Sequence, residues 1–151
     1  MVAWGDFATE APDLAERGGR LLRVGVAYIA TTAKDGSPRV HPFTPLISGG
    51  RLLAFVGKHT VKYHNLLRDP RYAIHAMLGE DDEEFMLIGR AVGSDDWATS
   101  MQAAVEARKI NMTSHDHEPF EFMVERVHWA VWEGLGTPDI RRVARSWRAK
   151  D

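Results

Sequence analysis

Two lysines and a threonine fall within five residues, at Lys58, Thr60 and Lys62, where the segment VKYHNLL begins. Thr60 can cap a helix starting at Val61, whose first N–H groups then stand beside two cations. That combination suits an anion, a phosphate above all. The same residues also describe an ordinary capped surface helix with solvated lysines. The segment before it, Arg39 to Ile47, is rich in β-branched and aromatic residues and reads as a strand that carries His41. A strand face able to support a planar ring would then stand next to a phosphate site.

Other chemistry finds little support. Gly57-Lys58-His59-Thr60 looks superficially like a nucleotide-binding P-loop, but that motif needs glycine where Leu52 stands and Ser or Thr where His59 stands. His115-Asp116-His117-Glu118 offers possible metal ligands, yet alternate residues in a polar stretch read as a solvated loop, and no metal site is expected. His41, His75 and His128 lie in strand-like segments, where a satisfied histidine is the simpler reading. There is no GxSxG motif, no Ser-His-Asp pattern and no assignable carboxylate pair. Catalytic residues therefore stay unassigned.

The elements that would position these groups follow from turn chemistry and periodicity. Lys34-Asp35-Gly36-Ser37-Pro38 and Ser48-Gly49-Gly50 are turns, and Leu52 to Val56 is an apolar run of strand length. A helix over Thr9 to Leu22, capped by Thr9 and weakened at Gly18-Gly19, precedes a strand over Gly25 to Ala33 with two apolar faces. In the helix from Val61 to Asp69, Tyr63, Leu66 and Leu67 share one side, leaving Lys62, Asn65 and Arg68 polar. Asp69-Pro70 ends it.

Further strands are expected over Tyr72 to Leu78, Phe85 to Val92 and Phe120 to Glu133. An acidic turn, Gly79 to Glu84, separates the first two, and Gly89 marks a bulge or close backbone approach. Ser94, Asp95 and Asp96 can cap a helix carrying Trp97, Met101, Ala104 and Val105, before a polar loop from Asn111 to Glu118. Trp129 and Trp132, three apart in a strand, must face opposite ways. Thr137-Pro138-Asp139 opens a basic terminal helix holding Arg141, Arg142, Arg145, Arg148 and Lys150. About six strands with short turns and inserted helices make an antiparallel barrel with flanking helices, mainly β in an α+β sense.

Composition bounds the rest. The 151 residues form one domain spanning 1–151, with ordinary globular composition and a net charge of −2. That charge gives no reason to seek nucleic acid, although the basic terminal helix offers an alternative of that kind. No run is long enough to cross a bilayer, and the acidic N-terminus is unlike a signal peptide. The absence of cysteine removes disulfides and thiolate chemistry and suits a cytoplasmic location.

On the stretches VAYIATTAKDGSPRVHPFTPLI and GRLLAFVGKHTVKYHNLLRDPRYAIHAML, the sequence resembles the pyridoxamine 5'-phosphate oxidase-like family of FMN-binding split barrels. The order of strand, DGxP turn, strand, GRLL strand, K-x-x-x-K-x-x-N-L helix and DPR covers Leu22 to Gly93; the later half fits in outline. The resemblance implies an antiparallel split β-barrel and a homodimer with FMN at the subunit interface. It sets the isoalloxazine against Arg39, Val40, His41, Pro42, Phe43 and Thr44 and the phosphate near Lys58, Thr60 and Lys62. It also implies redox chemistry on a small organic substrate. The end, IRRVARSWRAKD, differs from the arginine motif with which the biosynthetic oxidase of that family holds its substrate. Alternatives within the fold are a deazaflavin-dependent reductase and a flavin-binding protein without catalysis.

Overall fold

Glycines at positive φ make the tight turns, Gly36 at 84° and the pair Gly49 and Gly50 at 56° and 73°. In the computed structural model, residues 1–93 and 116–150 are described. The expected helix at Trp97, Met101, Ala104 and Val105, its caps Ser94, Asp95 and Asp96, and most of the polar loop from Asn111 lie outside them.

The described chain runs α1 (Trp4–Glu10), α2 (Pro12–Leu22), β1 (Ala27–Thr32), β2 (Pro38–Phe43), β3 (Leu46–Ser48), β4 (Arg51–Gly57), α3 (Val61–Arg68), β5 (Arg71–Ala76), β6 (Glu84–Gly93), β7 (His117–Glu133) and β8 (Arg141–Arg148). The strands form one antiparallel sheet in the order β2-β1-β5-β6-β7-β4-β3, with β8 also on β7. The expected class, mainly β with flanking helices, is what forms. No helix among the described residues is long and apolar enough to cross a membrane.

Strand β7 organises this sheet. Its first part pairs with β4 and its last part with β8, on the edge away from β6. The register on β6 shifts between Ile88 and Gly89, leaving Glu125 as an extra residue on β7. The inward set therefore changes from Phe120, Phe122 and Val124 to Val127 and Trp129, all buried. Gly89 is required there, because a Cβ would stand 1.9 Å from the carbonyl oxygen of Met123.

Several sequence expectations are corrected. The N-terminal helix is two helices broken at Ala11, and Thr9 donates its hydroxyl to the Gly5 carbonyl inside α1 instead of capping. Gly18 is a packing site, since a Cβ would meet the Phe85 ring at 2.0 Å. The strand expected from Arg39 to Ile47 divides at Thr44-Pro45 into β2 and β3. Strand β1 is covered on one face only; Tyr28 is 44% exposed. In α3, Leu67 is exposed while Asn65 is buried, donating to Thr31 Oγ1 at 2.9 Å.

The basic terminal helix is strand β8. Its odd positions Val143 and Trp147 pack inward, Trp147 against Phe7 with ring centroids 4.9 Å apart. Pairing with β7 across eight register partners outweighs the helical reading that the arginine content suggests. Trp129 and Trp132 do face opposite ways, the first buried and the second exposed.

The acidic turn is not wholly solvated. Glu83 is buried, accepting from Arg20 Nη2 at 2.5 Å and Trp129 Nε1 at 2.7 Å, with Arg17 at 3.9 Å. Burial pushes its carboxyl up, but the bonds from Arg20 and Trp129 more than offset this and hold it below the usual carboxylate range. A group so depressed stabilises the fold above its unfolded value and loses that contribution as pH falls through its folded one. Replacement by Gln should cost about 1–2 kcal/mol at neutral pH. In urea denaturation, the stability gap between Glu83→Gln and the parent should narrow as pH drops below about 4.5. A gap independent of pH would remove the charge of Glu83 from the account.

Candidate functional site

Strand β2 opens the sheet order and β4 stands near its far end; the two do not pair, yet Pro42 and Phe43 of β2 and Phe55 and Gly57 of β4 line one cavity. Helix α3 follows β4 and fills part of the gap. Its N-cap is the expected one: Thr60 Oγ1 accepts from Tyr63 N–H at 3.3 Å and donates to the Gly57 carbonyl at 2.7 Å. Lys62, in the first turn, reaches across the gap and donates to the Pro42 carbonyl at 2.7 Å.

Around this bridge lies a cavity of about 260 Å³, lined by Val26, Pro42, Phe43, Thr44, Phe55, Gly57, Thr60, Lys62 and His117. Five residues expected from the sequence thus meet: Pro42, Phe43, Thr44, Thr60 and Lys62. Gly57 keeps the space open, because a Cβ there would lie 3.2 Å from Thr60 Cγ2 and 3.6 Å from His117 Nε2.

The other expected residues sit elsewhere. Arg39 and Val40 are exposed, Arg39 beside a separate hollow with Lys34 and Asp35. His41 does not line the cavity, but its Nε2 is buried and finds no hydrogen-bond partner among the described residues. Lys58 faces Glu118 at 3.8 Å, and Tyr63 donates to the same carboxylate at 2.6 Å. Glu118 therefore spends the charge of Lys58 and leaves Lys62 as the lysine of the cavity.

Burial holds the Lys62 ammonium below its ordinary value. Burial, then the positive charges of Lys62 and Arg39, likewise depress His41, so its imidazole is neutral at neutral pH.

Sequence reasoning missed His117 and Phe55. Its polar neighbours suggest a loop, yet His117 opens β7 opposite Gly57, and its Nδ1 is buried with no partner among the described residues. The run Asp116-His117-Glu118 also disperses: Asp116 lies 3.9 Å from His59, His117 lines the cavity and Glu118 holds Tyr63. A cavity of mixed polar and apolar lining, with Phe43 and Phe55 in its wall beside a partly buried lysine and the His117 imidazole, suits a planar organic ligand bearing an anionic group.

The comparisons agree with this architecture. A heme binding protein from Mycobacterium smegmatis superimposes with a TM-score of 0.64 and 23% identity over 87% of this chain, which spans only 57% of that protein. A NimC/NimA family protein from Clostridium acetobutylicum matches at 0.61 and 20%, covering 86% of this chain and 92% of that one. A pyridoxamine 5'-phosphate oxidase-related, FMN binding protein from Nostoc punctiforme matches at 0.62 and 12%, covering 95% and 96%. No protein-family model matches the sequence, and neither does the sequence of any curated protein. The likeness defines a class: an antiparallel split barrel with an open sheet. The chain has the fold of the pyridoxamine 5'-phosphate oxidase-like FMN-binding proteins, in keeping with the resemblance seen in its first half.

Removing the positive charge of Lys62 favours protonation of its neighbour. In Lys62→Met the His41 pKa, followed by NMR of the imidazole Cε1 proton, should rise toward its ordinary value. No upward movement would show that Lys62 does not act on His41.

Proposed function

We propose that this chain is a homodimeric, cytoplasmic FMN-binding protein that carries out oxidation and reduction of a small organic substrate. The observation that carries the reading is the cavity where Pro42, Phe43 and Thr44 of the β2 end meet Thr60 and Lys62 of α3. Lys62 supplies a charge-assisted contact for a phosphate, and Thr60 fixes the helix start beside it. Phe43 and Phe55 present apolar surface for a ring system, and the imidazole of His117 offers a polar contact at its edge. When bound, the flavin supplies the hydride or electron transfer, which accounts for a site without a catalytic triad.

The proposed homodimer draws support from two features. The cavity's 260 Å³ lies at the small end for small-molecule pockets (~300–1,000 Å³), which suits a site that a second subunit would complete. Next to it the open sheet face exposes Val26, Tyr28 and Val40 at 47%, 44% and 65%. A second subunit seated there would cover apolar surface and close the cofactor site.

An absorption spectrum of the purified protein, with mass spectrometry of whatever denaturation releases, tests the reading. Released FMN is the expected result. A colourless protein is to be titrated with FMN, the deazaflavin and heme. Preference for the deazaflavin moves the chain to the reductase alternative, preference for heme replaces the flavin reading, and binding of none overturns it. Lys62→Ala should weaken FMN binding about 10- to 100-fold, or about 1.5–3 kcal/mol, if measured by fluorescence titration. Unchanged affinity would take Lys62 out of the phosphate contact.

A further inference from the structure

The ladder between β7 and β8 sets Arg126 directly opposite Arg148, so both side chains leave the sheet on the same face. Like charges in such a cross-strand pair destabilise it unless something lies between them. Neighbouring arginines are all neutralised: Arg90 by Glu125, Arg141 by Glu133, Arg142 by Glu84 and Arg145 by Asp13. Arg126 and Arg148 have no acidic partner among the described residues. They flank a cavity of about 400 Å³, to which Met86, Ile88, His128 and Ser146 also contribute. Ile88 is the register partner of Arg126 and Met86 that of His128, so an apolar floor lies beside the two guanidinium groups.

The polar atoms here bind rather than attack. Arg142 Nη2 lies 3.1 Å from His128 Nε2, and an arginine can only donate, so Nε2 is the unprotonated nitrogen. His128 Nδ1 then carries the proton and donates to Ser146 Oγ at 3.2 Å. A histidine in that tautomer cannot take the serine's proton, so Ser146 is no activated nucleophile. Its own hydroxyl proton stays available to an acceptor in the cavity.

From this geometry we infer that the cavity between β6, β7 and β8 is a second ligand site, for an organic carboxylate with a compact apolar body. The carboxylate sits between Arg126 and Arg148, whose planar forks match its two oxygens, and relieves their repulsion. The body lies on Met86 and Ile88. This site shares no residue with the flavin cavity and does not rest on the flavin reading.

The test is calorimetric titration of octanoate into the purified full chain, with acetate, octan-1-ol and inorganic phosphate as controls. Octanoate should bind at least about tenfold more tightly than acetate or octanol, since each control lacks half of the recognition. Arg126→Gln and Arg148→Gln should each weaken octanoate about tenfold or more, with molecular mass by light scattering unchanged. Without ligand, each variant should melt no lower than the parent, because a like-charge pair has been removed. The inference is overturned by octanoate and octanol binding equally, by parent-like affinity in both variants, or by no detectable heat. Tighter binding of phosphate than of octanoate overturns the assigned ligand class. A change of molecular mass in the variants would assign the two arginines to contacts between copies instead.

Discussion

A single extra residue in β7 is the constraint on which the sheet depends. The strand is 17 residues long, and its two halves have different neighbours on the edge away from β6. Without the bulge, a strict period of two would turn Val127 and Trp129 outward once Phe120, Phe122 and Val124 faced in. Glu125 resets the alternation, and its carboxylate pairs with the Arg90 guanidinium. On the β6 side the compensation is Gly89, whose missing side chain admits the Met123 carbonyl. Both cavities follow from this arrangement. The first half of β7 brings His117 opposite Gly57 at the β4 end, and the second half brings Arg126 opposite Arg148.

Lys62 answers a different constraint, the gap where the sheet order ends. No ladder joins β2 to β4, so the ammonium bond to the Pro42 carbonyl ties α3 to the β2 end. Burial costs the ammonium hydration, which is why its proton is held less firmly than in an exposed lysine. That loss makes it a stronger partner for an anion than a solvated lysine, because its desolvation is already paid in the fold. Lys58, held toward Glu118 at the surface, lacks this advantage. Two lysines that look equivalent in sequence thus differ in what they can do.

Much of this was legible from local chemistry. The turn glycines, the Thr60 cap, the stop before Pro70 and the irregularity at Gly89 each follow from backbone demands of single residues. So does the core position of Leu66, from helical spacing. What local chemistry could not reveal depended on distant partners. Asn65 is polar by type, yet Thr31 on β1 gives it a buried bond. Glu83 sits in an acidic run, yet Arg20 and Trp129 draw it inward. The arginine-rich end reads as helix until a free edge of β7 is known to exist. The polar neighbours of His117 suggest a solvated loop, whereas the β4 ladder begins there.

The open face of the sheet is sorted by charge along its length. One row of register partners, Pro42, Tyr28, His75, Met86, His128 and Ser146, crosses it from the Lys62 cavity to the arginine pair. At the β1–β2 end the exposed residues are apolar, Tyr28 and Val40 among them. At the β6–β8 end stand Glu84, Arg142, Arg126 and Arg148. A second copy covering the whole face would bury two unpaired guanidinium groups, a cost that apolar contact there does not offset. Covering the β1–β2 end alone would avoid that cost and would still close the Lys62 cavity. A twofold contact presents the same patch from both subunits, so the apolar end meets itself. A homodimer of the kind proposed would on this argument centre on β1 and β2 and would leave the arginine cavity open.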